Sequence, residues 1–169
     1  LDQSAVTLTS LKIKSTYTGK IGLPRYNSGG YHEYRAQYLA ISGTTITVGD
    51  GEGQGSGRVK IDTGSVATTC TVSQTGQRAD TGIPCFLLKG TSSSNVLNLT
   101  KGDVGVAIYS GEAANLSGGL NVGYESVLDS DSFVWCSSGV TLATVNQYGG
   151  QVLTESNITT LNRTGGTQT

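Results

Sequence analysis

Leu142-Ala143-Thr144-Val145-Asn146-Gln147-Tyr148-Gly149-Gly150 recurs sixteen residues later as Ile158-Thr159-Thr160-Leu161-Asn162-Arg163-Thr164-Gly165-Gly166. The two apolar positions, the threonine, the asparagine and the Gly-Gly pair all stay in phase. Self-similarity at a fixed period of this kind marks a solenoid, in which each repeat buries its apolar side against the next. Upstream the spacing loosens. Leu97-Asn98-Leu99, Leu120-Asn121-Val122 and Leu142 begin 23 and 22 residues apart. The expected architecture is all-β, a parallel β-helix of short strands, with equivalent strands of successive coils ~4.8 Å apart. Leu97, Leu120, Leu142 and Ile158 are expected to stack as one inner ladder, and Val145 over Leu161 as another. Asn146 and Asn162 are expected at the corner after the strand, where a short polar side chain bonds neighbouring backbone and tolerates a left-handed conformation. Gly149 with Gly150, and Gly165 with Gly166, are expected to supply positive φ for the following bend.

The rest of the 169 residues agrees with this. Threonine and serine, 23 and 19 residues, with 25 glycines, disfavour helix interiors. Short apolar runs end in Gly, Asn or Ser at 8–13, 38–41, 45–48, 58–61, 69–72, 85–88, 96–99, 104–108, 120–124, 133–135, 142–145 and 158–161, which reads as a dozen strands. Residues 31–37 are the one segment that could carry a helical turn. A single β-helix domain over 1–169 is expected, irregular with long loops over 1–90 and regular over 91–169. Residues 17–38 read as a protruding loop or a cap over the first coil, and 49–57 as a glycine-alternating loop. With Leu1 at the start and no methionine, the chain reads as a processed product, a cut-out domain or a fragment. Further coils or a partner subunit are expected after Thr169.

Charge is sparse, 14% of residues, with a net of -1. Through Lys101 the chain carries +4; from Gly102 on it carries -5. That polarity would let copies stack head to tail, or it is uneven surface composition. Basic residues are dispersed, so no nucleic-acid patch forms, and no run approaches the ~20 apolar residues of a membrane span. Cys70, Cys85 and Cys136 lie in apolar runs without metal-binding spacing. They read as three buried thiols, with a Cys70–Cys85 bridge as the alternative.

Several of these segments carry a resemblance. The segments 21–27, Tyr34-Arg35, Tyr38-Leu39, 55–62, 88–90 and 95–106, followed by the Thr-Val-Asn-x-x-Gly-Gly coils, resemble uncharacterised bacteriophage and prophage virion structural proteins. The resemblance runs from about Leu8 to the end. It implies a right-handed β-helix in a virion-associated protein, with no catalytic residues.

Candidate chemistry is thin. His32 is the lone histidine, and neither Gly-x-Ser-x-Gly nor a phosphate-binding glycine loop occurs. Glycan-cleaving β-helices group carboxylates on one face. The pairs to weigh are Asp50 with Glu52, Asp62 near Arg58, and Asp129 with Asp131, against the blander account of solvated acids. Asp50, Glu52, Asp129 and Asp131 are also the hard oxygen donors that a structural calcium ion would take, the one cofactor considered. Asn98, Asn115, Asn157 and Asn162 each begin an Asn-x-Ser/Thr triplet, weak evidence for glycosylation in so Ser/Thr-rich a chain. Tyr26, Tyr31, Tyr34 and Tyr38, with Arg25 and Arg35, form either a platform for a glycan or protein partner or a lid on the first coil.

The expected function is a non-enzymatic structural component of a phage particle: capsid decoration, spacer or fibre domain. Its partners would be copies of itself or other virion proteins, and its location the extracellular virion. The alternatives are a receptor- or carbohydrate-binding fibre domain and a glycan-processing tailspike domain.

Overall fold

The computed structural model describes residues 10–13, 20–21, 25–27, 30–32, 39–40, 45–48, 54–55, 58–73, 75–76, 84, 86–123 and 132–169. Among them are nineteen β-strands and no helix. Fifteen strands form one curled sheet made of two parallel ladders. The first ladder takes, in chain order, β1 (Ser10–Ile13), β6 (Thr45–Val48), β9 (Thr69–Ser73), the first half of β12 (Val96–Val106), β14 (Gly119–Val122), β16 (Val140–Gln147) and β18 (Ile158–Arg163). The second takes β2 (Lys20–Ile21), β8 (Arg58–Asp62), β11 (Phe86–Lys89), the second half of β12, β15 (Ser132–Cys136), β17 (Gln151–Thr154) and β19 (Thr167–Gln168). β5 (Leu39–Ala40) also pairs with β8, and β13 (Ala114–Leu116) with the start of β16. Outside this sheet, β7 (Gln54–Gly55) pairs with β10 (Thr75–Gly76) in parallel, and β3 (Arg25–Asn27) with β4 (Gly30–His32) antiparallel.

Parallel neighbours cannot be joined by a tight hairpin, so between two visits to one ladder the chain crosses to the other. Because side chains alternate across a strand, unshifted parallel register stacks like upon like. Ile46, Cys70, Leu97, Leu120 and Val145 form one inner column, each at most 1% exposed. Opposite it, Phe86, Val104, Val134 and Val152 form another, beside Ile61, Leu88, Val106 and Cys136. Full burial of each such aliphatic side chain contributes ~1.5–3 kcal/mol.

Val145 does pair with Leu161, in parallel, as the sixteen-residue repeat requires. Other expectations need correction. Leu142 does not follow Leu120; it stacks between Leu116 and Ile158 in a column of its own. The reason is that β13 and β14, separated by a Ser117-Gly118 turn, both pair with the single longer strand β16. The expected strands at 96–99 and 104–108 are one eleven-residue strand, bulged between Leu99 and Lys101, that passes from one ladder to the other. It stops at Val106, because Ala107 adopts a left-handed φ of 47°. Ala107 is held there by its amide, which donates to the Leu88 carbonyl (3.0 Å), and by its carbonyl, which accepts the Ser137 hydroxyl. Ile108 then folds back outside the sheet onto Gly105, where any Cβ would stand 2.7 Å from Leu87 Cδ2. Tyr31 and His32 belong to a strand and not to a helical turn; residues 33–37 lie outside the described residues. Strands β2, β3, β4, β7, β10, β13, β17 and β19 have no counterpart in the sequence reading, and β7 falls within the segment 49–57 expected as a loop.

Asn146 and Asn162 sit within strands, not at corners, and neither has positive φ. Of each glycine pair only the second residue is left-handed, Gly150 at 70° and Gly166 at 75°. Each also leaves no room for a side chain, since a Cβ on Gly150 would collide with the Ser132 carbonyl oxygen and one on Gly166 with that of Gly150. Gly150→Ala is expected to lower stability in denaturant unfolding by about 2–4 kcal/mol, summing left-handed strain with backbone displacement. Gly111→Ala, at φ 80° with nothing within 4 Å, should cost only the strain, about 1–2 kcal/mol.

Candidate functional site

The tyrosine cluster is partly in view. β3 and β4 pair Arg25 with His32 and Tyr26 with Tyr31, so the two tyrosines are cross-strand neighbours in a separate antiparallel ribbon. Tyr34, Arg35 and Tyr38 lie outside the described residues, as do Asp50, Glu52, Asp129 and Asp131 of the calcium reading. Asp62 is described. Its Oδ2 lies 3.3 Å from Lys89 Nζ, and its Oδ1 accepts the Gly64 amide at 2.8 Å. Glu112 accepts the Tyr109 amide and Glu155 the Ser138 amide, each at 3.3 Å. These three carboxylates each hold a turn amide.

Cys70 and Cys136 are free, fully buried thiols in inner columns, and burial pushes both up to about 12. Cys85 lies outside the described residues. Beside Cys70, an interior cavity of about 10 Å³ is lined by Leu88, Val106, Leu116 and the half-polar corner of Thr63, Thr68 and Asn95. It has space for about one water molecule and no substrate.

The feature the sequence reading missed is a column of asparagines on the outward side of the first ladder. Asn98, Asn121, Asn146 and Asn162 stand in register, their neighbours Leu97, Leu99, Leu120, Val122 and Val145 pointing inward. The Nδ2 groups of Asn121, Asn146 and Asn162 each donate to the Oδ1 of the previous asparagine, at 2.7, 2.7 and 2.9 Å, across separations of 23, 25 and 16 residues. The column continues upward as Thr71 and Thr47. Thr144 and Thr160 pair beside it, two residues earlier on the same face. Tyr148 lies two residues after Asn146 and is 40% exposed; its amide donates to the Val122 carbonyl at 2.9 Å. The signal was present as Leu-Asn-Leu, Leu-Asn-Val and Val-Asn, but with unequal spacing only the last two asparagines looked equivalent.

This placement also sorts the glycosylation triplets. The Asn98 and Asn162 carboxamides belong to the column, Asn115 accepts the Ser117 amide at 2.9 Å, and Asn157 is exposed between β17 and β18. Among the buried polar side chains, Gln147, fully buried below Val122, donates from Nε2 to the Gly150 (3.1 Å) and Thr167 (2.8 Å) carbonyls. Arg163, next in that column, repeats the device toward the Gly165 and Gly166 carbonyls. No protein-family model, curated protein or solved structure matches the chain.

Asn121→Ala removes both bonds of an interior rung and is expected to cost about 1–3 kcal/mol in denaturant unfolding; Asn162→Ala, with one exposed bond, should cost less than about 1 kcal/mol. In a Cys85→Ser background, Cys70 and Cys136 should resist an aromatic disulfide reagent at pH 8 while folded and react fully in guanidinium. Raised thiol values also mean that this contribution to stability is complete below pH 9 and declines as pH rises from about 9 toward 12, because only the unfolded chain ionises its thiols there.

Proposed function

We propose that the chain is a rigid structural module of a bacteriophage particle, a right-handed parallel β-helix acting as a spacer, decoration or fibre segment without catalysis. The observation that carries the winding is that both ladders receive their strands in chain order, all parallel, with the later strands of one ladder alternating with those of the other. A chain that visits two parallel ladders alternately, always advancing, winds around its apolar columns. The right hand follows the common chirality of parallel crossovers. Mechanical service suits such an object. Its interior strands are tied to both neighbours, its inner columns are mostly apolar, and several of its turns are held by the Asp62, Glu112 and Glu155 contacts described above. The particle assignment rests on the sequence resemblance.

Antibody raised against the chain should decorate intact phage particles in negative-stain micrographs at fixed positions. Purified particles in which mass spectrometry finds no copy of the polypeptide would refute the role. A crystal structure with left-handed or antiparallel coils would refute the winding.

A further inference from the structure

We propose that the outward face of the first ladder binds an extended, uncharged polysaccharide, at a strip formed by the asparagine column, Thr144, Thr160 and the ring of Tyr148. The inference holds whether or not the chain belongs to a particle. The two interior rungs, Asn121 and Asn146, each spend one N–H on the ladder and accept one bond. A carboxamide has two N–H donors and two acceptor lone pairs, so every interior rung retains a donor and an acceptor already held in orientation. Sugar hydroxyls both donate and accept, and they match such rungs in a way that a purely acidic or basic ligand does not. Successive rungs are ~4.8 Å apart, comparable to the length of one pyranose unit, so a linear glycan lying along the column meets an equivalent site at each residue.

Three further observations favour this occupant. Tyr148, two residues after Asn146 in the chain, is 40% exposed, and an aromatic residue at that place suits the C–H side of a sugar ring. The threonines and asparagines named carry no charge, and the charged residues in register stand toward the column's ends, Lys12 beyond Thr47 and Arg163 directly after Asn162. The uncharged middle of the column, Thr71 to Asn146, offers no arginine or lysine to an acidic glycan. The strip is also narrow. Two columns ~7 Å apart fall far short of the ~800 Å² per partner of a standard protein interface, but suit one polymer strand.

Electrophoresis of the folded chain in native gels containing dextran, laminarin, galactomannan or alginate tests this. The expected result is retardation by at least one neutral polymer and none by alginate. Tyr148→Ala should weaken it about ten-fold, Tyr148→Phe should preserve it, and Asn146→Ala should weaken it. Thermal unfolding of Tyr148→Ala unchanged from the parent separates loss of binding from loss of fold. Retardation by no neutral polymer, equal retardation by alginate, or full binding by Tyr148→Ala overturns the proposal. So does sedimentation showing a dimer that Tyr148→Lys dissociates, which would assign the strip to a second copy.

Discussion

Parallel pairing in unshifted register is the constraint on which everything else depends. It places each residue directly against its counterpart one pass later, so the chemistry of a position is multiplied along a column. Inward columns then become continuous apolar stacks, such as Ile46, Cys70, Leu97, Leu120 and Val145. Outward columns become continuous polar stacks, and where the residue is asparagine the side chains bond each other as the backbones do. One geometric rule thus supplies both the core and the surface lattice.

The same rule sets severe local requirements. Wherever two passes approach closely at a bend, a side chain is excluded by the backbone of the neighbouring pass, as at Gly150 and Gly166. Where an outer excursion must lie flat on the sheet, Gly105 makes room for Ile108, and Ala107 accepts left-handed strain to turn the chain. Buried polar groups survive when they close a bend. Gln147 reaches two carbonyls, and Asn95 accepts the Thr68 amide at 3.0 Å. Leaving such carbonyls and amides unpaired inside the sheet would cost ~1–3 kcal/mol each, which explains why a fully buried glutamine is tolerated below Val122.

Among the described residues, Asp62, Glu112 and Glu155 hold turns, and Cys70 and Cys136 lie in the core. On the outward side of the first ladder, the described residues present an ordered asparagine column with an exposed tyrosine two residues beyond Asn146. A repetitive scaffold that offers the same hydrogen-bonding unit at each step is suited to repetitive partners, and the rigid-module and polysaccharide proposals draw on that one property from different sides.

Sequence alone determined the strand class, the parallel direction and the pairing of Val145 with Leu161, because a phased repeat with alternating apolar positions allows like to stack only on like. It also located the apolar content of most first-ladder strands. Tertiary structure decided the rest. That Leu142 follows Leu116 and not Leu120, that β12 serves both ladders, and that β13, β17 and β19 exist at all depend on how unequal connecting segments bring strands back into register, and length alone does not encode this. The asparagine column was hidden for the same reason: separations of 23, 25 and 16 residues have no common period. They become equivalent once the chain has closed each pass and set the four carboxamides one above another.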